Sequence, residues 1–228
     1  MSAASRPVAA ADSRCLPGEI AAEDFVARAE ARLAREPPGP CDPTSNPRGD
    51  HSLDPEGKAV APPGPHRRAA VLVPIVPRSG SLSVLLTKRA PHLRDHSGQI
   101  AFPGGKIDPD DETPRHAALR EAEEEIGLAP DRVRVLGYLD PYLSATGFLV
   151  APVVGLVDPE APFAPNPSEV AEIFEVPLAF LMDPSRYALN ALVWKGRLRH
   201  YYAVPFGERM IWGLTAGILH NLHQRLCL

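Results

Sequence analysis

Apolar positions along this chain repeat with two periods, and the switches between them divide it into elements. Residues 1–16 carry neither period and read as a disordered tail. Between Ile20 and Leu33, Ala22, Phe25, Val26, Ala29 and Leu33 recur at helical spacing while Arg28 and Arg32 fall off that face, which predicts an amphipathic helix packed on the main domain. From Glu36 to His66 the chain turns to Pro, Gly, Asp and Ser and reads as a linker or wrapped loop. A continuous apolar run, Ala69 to Val76, predicts a buried strand, with Leu82 to Thr87 as its hairpin partner across Pro77-Arg78-Ser79-Gly80. Thr113 to Gly127 returns to helical spacing. Strands are then predicted at 133–139, 148–157, 169–175 and 198–204, a short helix at 176–182 and a longer one over 211–226. Alternation of this kind means a mixed α and β domain.

Composition narrows the picture. A chain of 228 residues holds one domain with a sizeable core, expected at 67–228, preceded by the tail, helix and Pro-rich linker of 1–66. A net charge of −4 without a run of Lys or Arg argues against a nucleic-acid or membrane-surface protein. Cys15, Cys41 and Cys227 have neither disulfide-framework nor zinc spacing, and with no apolar leader or membrane-length window they fit a soluble, cytoplasmic protein.

The chemistry concentrates between residues 85 and 128. Thr113 is a natural N-cap, Pro114 suits the first helical position and Gly127 suits a left-handed stop, so both ends of one short helix are written locally. At about 100° per residue, Arg115, Leu119, Ala122 and Ile126 share one side and Glu121, Glu124 and Glu125 gather on another. Three carboxylates so placed repel one another unless they form a solvated face or meet a cation, and hard oxygen donors suit Mg²⁺ or Mn²⁺. Upstream, Lys88, Arg89 and Arg94 are basic residues near that helix, and Gly104-Gly105 allow close backbone approach to an anion.

Arg120-Glu121-Ala122-Glu123-Glu124-Glu125-Ile126-Gly127-Leu128 behind a Gly-Gly loop resembles the signature helix of the Nudix hydrolases. The preceding loop is one residue longer than the family pattern. Counting back from Arg120 puts Glu112 at the pattern's first glutamate, and counting forward from Gly105 puts Asp111 there. Leu85-Leu86-Thr87, Arg89, Ala90, Arg94, Gly98 and Phe102-Pro103-Gly104-Gly105 further resemble the motif found upstream of that helix in coenzyme A pyrophosphatases, and every fixed position is met.

The resemblance implies an α/β/α sandwich with a mixed β-sheet between helices. It implies hydrolysis of the pyrophosphate of coenzyme A or acyl-coenzyme A to 3′,5′-ADP and a 4′-phosphopantetheine species. Glu121, Glu124 and Glu125 would hold Mg²⁺ or Mn²⁺, Arg120 would orient a carboxylate, and the general base would be a helix glutamate or a later one, Glu169 or Glu172. Arg89, Arg94, Gly104 and Gly105 would bind substrate, and a homodimer is a family-level expectation. The alternatives are a Nudix hydrolase of another nucleoside diphosphate derivative and a non-catalytic module, which would usually have lost one of the three glutamates. Gly213-Leu214-Thr215-Ala216-Gly217 mimics a nucleophile elbow with Thr for Ser, but an elbow follows a strand, and a helix packed through small residues is expected instead.

Overall fold

Residues 69 to 77 are apolar without a break because they lie in the middle of a sheet covered on both faces. The computed structural model describes residues 6–7, 21–37, 48–55, 61, 64–194 and 196–227. Most of the expected tail and linker, with Cys15 and Cys41, lies outside the described residues. In chain order the elements are β1 (Arg6–Pro7), α1 (Ala22–Arg32), β2 (Arg48–Gly49), β3 (Arg67–Arg78), β4 (Ser81–Arg89), β5 (Ile100–Ala101), β6 (Gly104–Lys106) and α2 (Pro114–Ile126). They continue with β7 (Val133–Tyr138), β8 (Tyr142–Leu143), β9 (Phe148–Val157), β10 (Val170–Pro177), α3 (Leu178–Leu181), β11 (Ala188–Trp194), β12 (Arg197–Phe206), β13 (Arg209–Trp212) and α4 (Leu214–Cys227).

The main sheet runs β10-β4-β3-β9-β8-β2, with β5 on β4, β6 on β3 and β7 on β9. It is mixed: β3 and β9 are parallel from Arg67 opposite Phe148 to Ile75 opposite Leu156, while β4, β6 and β10 pair antiparallel. Alternate residues of β3 enter two separate cores. Val71, Val73 and Ile75 pack with Phe25 and Ala29 of α1 and with Ile218 and Leu222 of α4. Ala70, Leu72 and Val76 pack with Ala118, Ala122 and Ile126 of α2. The sheet is therefore sandwiched between α2 on one face and α1 with α4 on the other. Each buried Leu, Val or Ile contributes on the order of 1.5–3 kcal/mol.

The sequence reading departs from the structure at the C-terminal end. A second sheet, β1-β11-β12-β13, was not anticipated beyond the strand at 198–204. Ile211 and Trp212, expected to begin the last helix, end β13, and α4 starts at Leu214 after Gly213 turns the chain at φ +61°. A strand does therefore precede Gly213–Gly217, contrary to the reason given against an elbow. Thr215 is nonetheless a packing residue: its buried hydroxyl donates to the Ile100 carbonyl at 3.0 Å. Cys227 is disulfide-bonded, where no disulfide was expected. Among the described residues no helix is long and apolar enough to cross a membrane.

Candidate active site

Helix α2 forms as its sequence dictates. Thr113 Oγ1 accepts from the His116 amide at 3.2 Å, Pro114 opens the helix, and Gly127 closes it in the left-handed region at φ +67°. The last carbonyls of a helix need donors from elsewhere. Here the Pro-rich loop after β9 supplies them, Ala164 N to Ile126 O at 2.9 Å and Asn166 N to Glu125 O at 2.8 Å. That same loop carries Glu169 to the mouth of the helix, where its carbonyl accepts from Ala90 N at 2.8 Å. Ala117, Ala118, Leu119, Ala122 and Ile126 are buried on the core side, whereas Arg115, expected on that side, is exposed.

The three glutamates of α2 occupy three different environments. Glu125 is buried to 3% exposure, and its Oε2 accepts from the Gly104 amide at 3.2 Å. Burial pushes its carboxyl up to about 7, and the charges of Glu121 and Glu169 add to this against the pull of the Gly104 amide and Arg89. Glu121 is half-buried beside Gly105, and burial raises its carboxyl too, with Glu124 and Glu169 adding to the rise and Arg120 opposing it. Glu124 is exposed and reaches Arg120 Nη1 at 3.2 Å.

Arg120 is a hub among carboxylates. Its Nε and Nη2 donate to the two oxygens of Asp111 at 3.2 and 2.9 Å, Nη1 serves Glu121 and Glu124, and Nη2 also donates to the Lys106 carbonyl at 3.3 Å. The Asp111 side chain is only 3% exposed, and its pair with Arg120 holds its carboxyl below the usual range. Glu112 is exposed. The two ways of counting the longer loop are thus decided: Asp111 faces the helix and the extra residue falls after it.

Gly104 and Gly105 on β6 have no room for a side chain. Gly104 sits at φ +153°, and a Cβ there would stand 2.6 Å from Val71 Cα. A Cβ on Gly105 would stand 2.5 Å from the Glu121 carboxyl carbon. The loop is thereby pressed onto Glu121 and Glu125.

In front of it opens a cleft of about 440 Å³. Arg89, Gly104, Gly105 and Lys106 form one wall, and Ser144, Ala145 and Thr146 of the loop before β9 form another. Ser144 also closes its own turn, its hydroxyl accepting from Phe148 N at 2.9 Å. Arg89 Nη1 lies 3.7 Å from Glu125 Oε1, and its buried Nε has no hydrogen-bond partner among the described residues. Arg94 is exposed on the loop after β4, and its side chain takes part in no hydrogen bond or ion pair among the described residues. Glu172, the other candidate base, is ion-paired with Arg209 of β13.

The sequence model of the NUDIX domain family matches residues 65–194. This chain belongs to the Nudix family. A Nudix hydrolase of Yersinia pestis (strain Pestoides F) named NudL, described as uncharacterized, is 47% identical over 161 residues, covering 71% of this chain and 80% of its own. NudL of Yersinia pseudotuberculosis (serotype O:1b, strain IP 31758) shows the same identity and coverage. The crystal structure of a Nudix hydrolase from M. smegmatis, RenU, is 29% identical at TM-score 0.42, covering 50% of this chain and 71% of that one. The protein is a Nudix pyrophosphohydrolase acting on a nucleoside diphosphate derivative, with the Nudix fold.

Nudix hydrolases generally use divalent ions such as Mg²⁺ or Mn²⁺. Among the described residues no three acidic, His or Cys side chains stand close enough to hold an ion as they are, and Glu121 and Glu124 are both paired with Arg120. The donor set still has the right chemistry: Glu121 and Glu125 are hard carboxylates, pushed towards protonation by burial and by neighbouring carboxylates, Glu169 among them in both cases.

The Nudix match stops at Trp194, and part of the cleft lies beyond it. Trp194, Arg199, Tyr201 and Trp212, which sequence reasoning missed, line its far side. Two signals were available: both tryptophans of the chain flank this stretch, and Arg199 and Tyr201 are two apart on a predicted strand.

Proposed function

We propose that this Nudix enzyme hydrolyses the pyrophosphate bond of coenzyme A and its acyl thioesters. The observation that carries the reading is the complete motif from Leu85 to Gly105. Its Arg89, Gly104 and Gly105 line one cleft beside the glutamates of α2.

Glu121, Glu124 and Glu125 would hold Mg²⁺ or Mn²⁺, which when bound neutralises pyrophosphate charge and acidifies a water. Arg120 is a positioning residue, holding Glu121 and Glu124 against Asp111. Glu169 is the base that takes the proton from the attacking water. It is the later carboxylate whose charge reaches both Glu121 and Glu125, whereas Glu172 is engaged by Arg209. Arg89, with an unused Nε, pairs with phosphate oxygens, and Arg94 adds charge at the rim. The water oxygen bonds to phosphorus as the bridging P–O bond breaks, giving 3′,5′-ADP and 4′-phosphopantetheine or its acyl form.

The test is turnover with Mg²⁺ and with Mn²⁺ across coenzyme A, an acyl-coenzyme A, dephospho-coenzyme A, ADP-ribose and NADH, with the products identified. Coenzyme A and its thioester should be cleaved fastest. Faster turnover of ADP-ribose than of coenzyme A would sink the assignment.

A further inference from the structure

Besides the Gly104–Gly105 loop, the cleft is lined by the second sheet, through Leu192, Trp194, Arg199, Tyr201 and Trp212. Arg199 and Tyr201 share a face of β12, Tyr201 meets Trp212 edge to face with ring centroids 5.3 Å apart, and the Arg199 guanidinium lies 4.6 Å from the centre of the Trp194 ring. A guanidinium stacked on a ring keeps its N–H edge for acceptors. Arg199 Nε is buried and has no hydrogen-bond partner among the described residues. Asp50, which also lines the cleft, accepts from the Tyr142 hydroxyl at 2.6 Å and lies within reach of the Arg199 charge, which leaves Nε as the guanidinium edge without an acceptor.

Flat π surfaces beside an arginine with an unused Nε suit a base that carries a phosphate close by. An acyl chain would leave that Nε desolvated without an acceptor. The glutamates of α2 do not line the cleft and meet it only through Gly104 and Gly105, so the phosphate met by Arg199 is assigned to a position other than the bond being cleaved.

Resting on the coenzyme A reading, we propose that Trp194, Tyr201 and Trp212 form the platform for the substrate's adenine. Arg199 binds the 3′-phosphate of its ribose, the group that separates coenzyme A from dephospho-coenzyme A.

Trp194 and Trp212 are the only tryptophans of the chain, so intrinsic fluorescence reads this wall without turnover. The full-length protein is titrated in EDTA with 3′,5′-ADP and with 5′-AMP. Fluorescence should change with both, and 5′-AMP should bind about tenfold more weakly for want of one charge-assisted contact. Arg199→Gln should bring 3′,5′-ADP down to the 5′-AMP level without altering 5′-AMP binding, which also reports that the wall is folded. Arg199→Lys should recover part of the difference. Trp194→Phe, which keeps Trp212 as reporter, should weaken both nucleotides alike. In turnover, Arg199→Gln should raise KM for coenzyme A about tenfold more than for dephospho-coenzyme A.

No fluorescence change with 3′,5′-ADP, or an Arg199→Gln protein that still prefers it over 5′-AMP, overturns the proposal. If coenzyme A is not hydrolysed but 3′,5′-ADP binds through Arg199, the functional reading fails and this site stands. Coenzyme A turnover with a preference indifferent to Arg199 gives the reverse.

Discussion

Glu125 is held in a state that water would not allow it. Its carboxyl titrates at about 7 in the folded chain against 4.5 when exposed. Folding without metal therefore takes up a proton between those values. The associated stability is whole below about pH 4.5 and is lost as pH rises through about 7, at about 1.4 kcal/mol per pH unit inside the window. Thermal melts in EDTA should fall across that range. Glu125→Gln, which keeps the shape and still accepts from Gly104 N, should flatten the fall. The same variant should lose activity by on the order of 100-fold or more, beyond the 10–100-fold typical of groups that only support a metal ligand. An active Glu125→Gln protein would mean that the metal site is elsewhere.

The two glycines before the helix separate structure from chemistry. Gly104→Ala drives a methyl into the β3 backbone at a strained φ and should lower stability by about 1–3 kcal/mol in urea unfolding. Gly105→Ala meets only the end of the Glu121 side chain. It should leave the urea midpoint nearly unchanged while kcat falls, because Glu121 must swing away. Asp111 shows the limit of residue-scale reading: two registers fitted the sequence equally, and only the Arg120 fork selects between them.

At the scale of elements, α2 was legible to its last residue, because its cap, proline, stop and apolar stripe are local signals. The strands β3, β4, β7 and β9 were legible as apolar runs. β11 and β13 were not. β11 lacks clean alternation and is held by seven register pairs with β12, and β13 is a four-residue strand running into a helix of similar hydrophobicity. Pairing across a hairpin made those strands, and no window of sequence holds that information.

Helix α4 carries a second titrating group. His220 stacks on Tyr202 at 4.4 Å between ring centroids, and burial lowers its imidazole to about 4 from 6.5. It stays neutral inside, so its contribution is present above about pH 6.5 and lost as pH falls towards 4, the opposite sense to Glu125. The gap in urea midpoint between wild type and His220→Phe should therefore shift in favour of the variant on going from pH 7.5 to 5. An unchanged gap would place a solvated imidazole at this position.

At the scale of the molecule, the groups of the candidate site come from regions far apart in the chain: the β6 loop, α2, the loop after β9 and, on the proposal above, the hairpin of β11 and β12. They are brought together by one central strand. β3 pairs with β6 and with β9, whose partner residues lie about 80 positions further on. Closing so long a loop costs entropy before any contact rewards it, so pairings of this kind form slowly. α2 is short, locally capped and fast by comparison. In refolding from urea, helical ellipticity should return first and activity only with the slow phase, since Gly104 reaches Glu125 only when β6 is docked on β3. The order of chain assembly would then act as a safeguard: a half-folded molecule carries the acidic helix but has no formed cleft in which to cleave a nucleotide.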